Sequence, residues 1–156
     1  MNIRKIVPVL AGGVAIALAT LAAGGCSNDS NSTDTTAAAI AGITFLDAQS
    51  FHAFETELTD EGTVPATAAS VARKSQAVLE LTDWPEAVKD DAKQLAELMD
   101  TMADELEKDT VDIEAAKTAT SNAHNAWHEF SHLVWDTLQG EAGITGGEDG
   151  HDDHGS

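Results

Sequence analysis

The chain has 156 residues, of which 27 are acidic and 8 are basic, so its formal net charge is -19. This charge excludes nucleic acid and anionic lipid headgroups as partners, because both would be repelled. The hydrophobic share of 42% is enough for the interior of one domain, and a single cysteine excludes a disulfide framework, a thiolate zinc site and an iron–sulfur cluster.

Residues 1–25 have the pattern of an export signal. Arg4 and Lys5 precede an apolar run, and Cys26 follows a group of small residues. This pattern resembles the signal of bacterial lipoproteins, in which the cysteine is lipidated and becomes the first residue of the mature protein. The resemblance implies a signal peptide, lipidation of Cys26, anchoring in the cell membrane and an extracytoplasmic domain. The alternative is a short transmembrane anchor, although the apolar run is at the lower limit of a membrane span.

Residues 26–43 connect this signal to the rest of the chain. They include the stretch SNDSNSTDTT, which is polar and has no apolar periodicity. We predict that the lipidated cysteine and a solvated tether occupy this segment, ahead of a helical domain at residues 44–140. Beyond the tether, no alternating run of branched or aromatic residues indicates a strand.

Glycines, prolines and polar caps divide the domain into four predicted helices, over residues 44–62, 65–83, 84–108 and 109–140. In the first, Thr44 and Asp47 fit a capping box, and in the last, Gly140 fits a C-cap. Apolar and small residues recur at steps of three and four. The predicted interior positions are Thr44, Asp47, Phe51, Phe54 and Leu58, then Ala68, Val71, Ser75 and Val78, then Val88, Ala92, Leu95, Met99, Met102 and Leu106, and finally Ile113, Ala116, Thr120, Ala123, Trp127, Phe130 and Val134. Short connections then predict an all-α, up-down-up-down four-helix bundle.

Histidines carry the most concentrated chemistry in the sequence. His124, His128 and His132 are spaced by four residues, so they form one stripe that turns by about 40° at each step. We expect His124 at the edge of the core and His132 nearly in solvent. On the first helix, His52 and Glu55 share a face, and antiparallel pairing places His52 at about the level of His124.

Imidazoles and carboxylates that face one another across a bundle are typical of a metal site. Without a thiolate, the candidate ions are zinc, copper(II), nickel and iron. Residues 141–156 are glycine-rich and acidic, so we predict a disordered tail in which His151 and His154 are further candidate ligands. The competing interpretation is structural, since surface histidines are common and Glu55 belongs to a very acidic helix.

Residues 128–132 read HEFSH and match the zinc metalloprotease motif H-E-x-x-H. In that chemistry the two histidines bind zinc and the glutamate acts as the base on the bound water. The extended motif needs a glycine and a histidine further on, where this chain has Trp135 and Leu138. We therefore predict no enzymatic activity.

Two bundle families resemble parts of this sequence. The stretch from Asp112 to His128 looks like a helix of the imelysin-like iron-uptake lipoproteins, whose His-x-x-Glu motif is also similar to His52–Glu55. Asn125-Ala126-Trp127-His128 resembles the haem-ligand helix of soluble periplasmic b-type cytochromes. Those cytochromes imply a methionine on the first helix, which this chain lacks, so haem is not favoured. Covalent haem is excluded, because the chain has no Cys-x-x-Cys-His motif.

The sequence therefore predicts a membrane-anchored extracytoplasmic protein that captures or buffers a divalent metal. His124, His128 and His132 would be the core ligands, with His52, Glu55 and the two tail histidines as supplements. One alternative is an acidic helical lipoprotein that binds an unknown protein partner without metal. The other is non-covalent haem binding.

Overall fold

The computed structural model describes residues 30–143, and this part of the chain is helical, with no strand. Its elements are α1 (Ser30–Asp47), α2 (Phe51–Asp60), α3 (Ala68–Leu81), a 3₁₀ helix (Glu86–Val88), α4 (Lys89–Leu106) and α5 (Ile113–Glu141). The predicted all-α class is confirmed. None of these helices is both long enough and apolar enough to span a bilayer. Cys26, with the predicted signal, and His151 and His154, with most of the predicted tail, lie outside the described residues.

The helices α4 and α5 have the interior that the three- and four-residue spacing predicts. All six predicted positions from Val88 to Leu106 are buried, as are those of α5 from Ala116 to Val134. The side chain of Asp112 caps α5 by accepting hydrogen bonds from the backbone N–H groups of Glu114 (3.0 Å) and Ala115 (3.2 Å). This cap starts α5 at Ile113, a few residues later than predicted.

The predicted first helix is two helices. Residues 30–43, which the sequence placed in the tether, are helical and belong to α1, and a break at residues 48–50 separates α1 from α2. Burial explains the early start, because α1 contributes side chains with no exposed surface to the core: Ala39, Ile43 and Leu46. Apolar contact with the other helices therefore stabilises a segment whose polar sequence has low helix propensity.

The capping box predicted at Thr44 and Asp47 is wrong, and neither side chain faces the interior. Thr44 lies inside α1 and is exposed, and Asp47 is the exposed last residue of that helix. The Asp47 carboxylate accepts hydrogen bonds from Ser131 Oγ (2.8 Å) and Trp135 Nε1 (2.9 Å) of α5. Asp47 thus joins the end of α1 to α5 instead of capping a helix.

Two glycines mark helix ends differently from one another. Gly62 follows α2 with a φ of 64°, which agrees with the predicted end of that segment. The C-cap predicted at Gly140 is wrong, since α5 continues through this residue and the left-handed conformation comes at Gly143, with a φ of 68°. An uninterrupted backbone ladder explains the difference, because Ala142 N–H still donates to the Leu138 carbonyl at 3.0 Å.

The helix α3 packs against α4, and its buried side differs slightly from the prediction. Ala72 and Leu79 are buried, whereas the predicted Val71 and Val78 are half-buried. At its surface, the Arg73 guanidinium forms ion pairs with three carboxylates of α4 and its C-terminus: Asp100, Asp104 and Glu107. These carboxylates raise the pKa of Arg73 further, through hydrogen bonds from the guanidinium to Glu107 and Asp104, so the guanidinium stays charged.

The helix α5 is the common partner of the fold, because α1, α2 and α4 all pack on it. The helix α1 also contacts α3, and Gly42 permits a close approach there. A Cβ at Gly42 would lie 2.8 Å from Trp84 Cη2 and 2.9 Å from Thr82 Oγ1, so a larger residue does not fit. This packing leaves the N-terminal half of α5 free to receive α2, where the candidate site lies.

Candidate metal centre

Three histidines from two helices converge at the contact between α2 and α5. His52 comes from α2, and His124 and His128 lie one turn apart on α5. One nitrogen from each ring can be chosen so that all three lie within 4.8 Å of one another. The ring centroids are 4.3–4.8 Å apart, so no other side chain separates the imidazoles.

The apolar residues of α2 determine where its polar residues lie. Phe51, Phe54 and Leu58 are buried, and the Phe51 ring packs 5.5 Å from that of Trp127 on α5. This contact holds the next residue, His52, at the edge of the α2–α5 interface. His52 therefore reaches the histidines of α5 while its own side chain stays exposed.

His52 and His128 face each other through their Nε2 atoms. Their Nε2 atoms are 3.1 Å apart. Two neutral imidazoles can share one proton at this distance, with one ring donating and the other accepting. Two ligands of a tetrahedral zinc ion are also separated by about 3.3 Å when each Zn–N bond is about 2.0–2.1 Å. The observed spacing is thus close to that of two adjacent zinc ligands.

His124 is buried, with 5% of its surface exposed. Its Nδ1 lies 2.5 Å from Glu55 Oε2, and Glu55 Oε1 accepts a hydrogen bond of 2.5 Å from Ser121 Oγ. The Nδ1 contact is close but lacks the alignment of a hydrogen bond, and Nε2 has no protein partner. A buried ring nitrogen without a partner costs stability unless something binds it, and a metal ion is a suitable partner.

The surroundings of the cluster shift the pKa values of Glu55 and His128 towards the ionisation states that metal binding needs. The hydrogen bond from Ser121, reinforced by His124, lowers the pKa of Glu55 although burial opposes this. Burial also lowers the pKa of His128, and the neighbouring His124, His52 and His132 add to this effect. Near neutral pH, Glu55 is therefore ionised, and the neutral imidazole with a free lone pair is favoured at His128.

Trp127 forms the wall of the cluster. Its ring is stacked on His124 with an interplanar angle of 20° and lies 4.4 Å from the centroid of His128. The indole Nε1 is buried and has no hydrogen-bond partner. Trp127 was predicted as a core residue, and it is buried and in contact with two of the three histidines.

Not all predicted site residues meet. His132 is exposed and outside the three-histidine group, and Glu129, the glutamate of the HEFSH stretch, is exposed as well. Glu55 contacts His124 and is not itself one of the three converging groups. Ser121 was missed by the sequence analysis, although its position three residues before His124 places it on the same side of α5.

A cavity of about 510 Å³ lies elsewhere, between α3 and α4 beside Trp84, and the histidines do not line it.

Comparison of the chain with models of protein families, with curated proteins and with solved structures finds no match. The lipoprotein, imelysin-like and cytochrome resemblances therefore stay predictions from the sequence. The interpretation of the site rests on its own geometry.

Proposed function

We propose that this protein captures or buffers a divalent metal ion at His52, His124 and His128. The observation that carries the proposal is the convergence of three imidazoles from two helices, one of them buried without a hydrogen-bond partner. A purely structural cluster would leave the buried Nε2 of His124 without a partner, at a cost in stability.

In this proposal the histidines bind the ion, and Glu55 with Ser121 supports one of them from behind. His124 binds the ion through Nε2, because its Nδ1 faces Glu55. The carboxylate of Glu55, itself held by Ser121, fixes the ring and raises its basicity, as carboxylates behind zinc-binding histidines do. His52 and His128 complete the set of three ligands with their Nε2 atoms.

The donor set determines which ions fit. Three neutral imidazoles suit zinc, copper(II), nickel and iron, whereas magnesium and calcium prefer oxygen ligands. Among divalent ions, the usual order of affinities places copper(II) highest. A fourth position stays open for water or for one of the two histidines predicted in the tail, His151 and His154.

The rest of the proposal concerns location and architecture. We propose that a lipid on Cys26 anchors the protein to the outer side of the cell membrane. We also propose that α1 with α2, then α3, α4 and α5, form an up-down-up-down four-helix bundle. The contacts between helices support this topology: α3 packs on α4, α4 packs on α5, and α1 and α2 both pack on α5.

Metal titration tests the proposal. The full chain is freed of metal with a chelator and titrated with zinc and with copper(II), using calorimetry and tryptophan fluorescence. Replacing His52, His124 or His128 with alanine should each weaken binding at least about 10- to 100-fold, the loss known for perturbed coordination shells. His132→Ala is the matched control, since this exposed histidine of the same helix lies outside the cluster.

If the variant lacking all three clustered histidines binds metal as tightly as the parent, the cluster is not the site. An acidic helical module that binds a protein partner would then become the leading interpretation.

The anchor has its own test. Cys26→Ala should release the protein from the membrane fraction or leave an unprocessed precursor, because the lipid-bearing thiol is missing. Cell fractionation and the mass of the purified protein measure the two outcomes. Unchanged processing and unchanged membrane association would reject the lipoprotein proposal.

A further inference from the structure

One end of the molecule gathers the start of α1, the chain after α3 and the end of α5. Thr35 Oγ1 donates a hydrogen bond to Asp83 at 2.8 Å, and Thr36 Oγ1 donates to Glu141 at 3.3 Å. We call the surface formed by these four residues the proximal end. Ile40 belongs to the same region, since it lines a shallow depression with Thr36 and Glu141.

The proximal end is close to the predicted lipid along the chain. Ser30, the first residue of α1, comes only four residues after Cys26. Four residues span at most about 14 Å even when fully extended. The helix that follows packs on α5 and α3, so it is part of the folded domain and cannot act as a long flexible tether.

We propose that the proximal end faces the lipid bilayer and is the membrane-facing surface of the protein. This inference rests on the lipid at Cys26 in the proposed function, and it is independent of metal binding. The short connection determines the orientation, because an anchored α1 brings its own end of the domain towards the lipid.

The surface of this end fits a zwitterionic bilayer. Leu81 is 85% exposed and Ile40 is 44% exposed, and both lie near the proximal end. These are two of the three large hydrophobic side chains exposed within the described part of the chain. The neighbouring carboxylates, Asp83 and Glu141, would be repelled by anionic headgroups but not by zwitterionic ones.

The orientation also places the histidine cluster. His124 precedes Glu141 by 17 residues of continuous helix. At 1.5 Å per residue, the two histidines of α5 in the cluster lie about 20–25 Å along the helix from the proximal end. The metal site is therefore held away from the headgroups, where ions and partners in the surrounding solution can reach it.

Energy transfer to the membrane surface tests this orientation. The processed, lipidated full chain is reconstituted into phosphatidylcholine vesicles that contain acceptor-labelled lipid. A donor dye is attached to Leu81→Cys at the proximal end or to Thr110→Cys between α4 and α5; both native residues are exposed, and a lipidated Cys26 does not react with the dye. About 27 Å of α4 separates the two ends, so transfer from position 81 should be roughly twofold higher or more.

Flotation of the vesicles distinguishes the two possible failures. If the protein floats with the vesicles and position 110 transfers as efficiently as position 81, the proposed orientation is wrong. If the protein does not float, the lipid anchor fails, and the orientation fails with it. Circular dichroism of both labelled variants checks that the helices are intact.

Discussion

Glu55 connects the histidine cluster to the helix behind it, because its two carboxylate oxygens face different partners. One oxygen accepts the Ser121 hydroxyl and the other lies against His124. The side chain is only half-buried, so changing it does not remove a large part of the core. Its effect should therefore appear in metal affinity more than in stability.

We expect Glu55→Gln to lower zinc affinity by about 10- to 100-fold while the three ligands stay in place. The amide keeps the size of the side chain but loses the charge that favours a basic His124 ring. Calorimetric titration measures the change. Glu57→Gln, on the same helix and two residues away, is the control and should bind like the parent; equal affinities for both variants would remove Glu55 from the site.

In the metal-free protein, we expect the free energy of unfolding to fall as the pH drops through the histidine range. The folded protein lowers the pKa of His128 from its ordinary value of 6.5, so between these two pKa values the unfolded chain binds more protons. The contribution of His128 to the free energy of unfolding is therefore fully present above pH 6.5. It is lost as the pH falls through the lowered pKa of His128 in the folded protein. Protonation of Glu55, whose pKa is also lowered, adds a further loss below its ordinary value of 4.5.

Denaturant midpoints measured across this pH range test the expectation. His128→Gln removes the titrating ring and should flatten the pH dependence in the histidine range. His132→Gln should keep most of it, because His132 is exposed. A parent protein that becomes more stable in weak acid would contradict the assigned direction of the His128 shift.

At the scale of single residues, the sequence placed His52 near the level of His124, but it did not indicate the contact of His52 with His128. The four-residue spacing of His124 and His128 was enough to place both on one side of α5. That His52 lies between them depends on the break at residues 48–50, which sets the position of α2 along α5. No residue in that short segment signals a break as strongly as a proline or a glycine would.

At the scale of helices, the contrast between α4 and α1 shows which sequence signals were reliable. The apolar stripe of α4 runs along the whole helix, so every position it predicted is buried, although Ala96 and Ala103 are buried as well. In α1 the first half is polar, and among the residues whose burial is described the buried ones lie in the second half, including Ile43 and Leu46. Contacts with distant helices stabilise α1, and a local pattern does not contain that information.

The glycines of α1 and α5 form a matched pair for testing this packing. Gly42→Ala should destabilise the fold by about 1–3 kcal/mol, because the new Cβ meets the buried Trp84 ring and Thr82. Gly140→Ala meets nothing within 4 Å and should stabilise α5 by up to about 0.5–1 kcal/mol. Thermal or denaturant unfolding measures both; two stabilising changes would mean that α1 does not pack on Trp84.

At the scale of the whole molecule, the net charge of -19 influences how fast a cation arrives. The negative potential concentrates cations near the protein, and salt screens it over a distance that falls from about 30 Å at 0.01 M to about 8 Å at 0.15 M. The charge therefore acts on the encounter with the ion, whereas the histidines determine how long the ion stays.

We expect the association rate of zinc to fall steeply over this range of salt, with a much smaller change in the dissociation rate. Stopped-flow tryptophan fluorescence measures both rates. Sucrose at matched osmolality is the control, since it does not screen charge. An association rate that is independent of salt would show that the acidic surface does not assist capture.

Because α2 is short and packs mainly on one helix, we expect it to open locally while the rest of the fold stays intact. It has ten residues, non-helical segments flank it, and it packs mainly on α5, while the α3–α4–α5 contacts do not pass through it. Its amide hydrogens should therefore exchange with deuterium by local opening of α2, at a lower free energy than those of α4. An ion shared by His52 and α5 would oppose the local opening of α2 and slow its exchange, so isotope uptake along these ten residues reports the occupancy of the site.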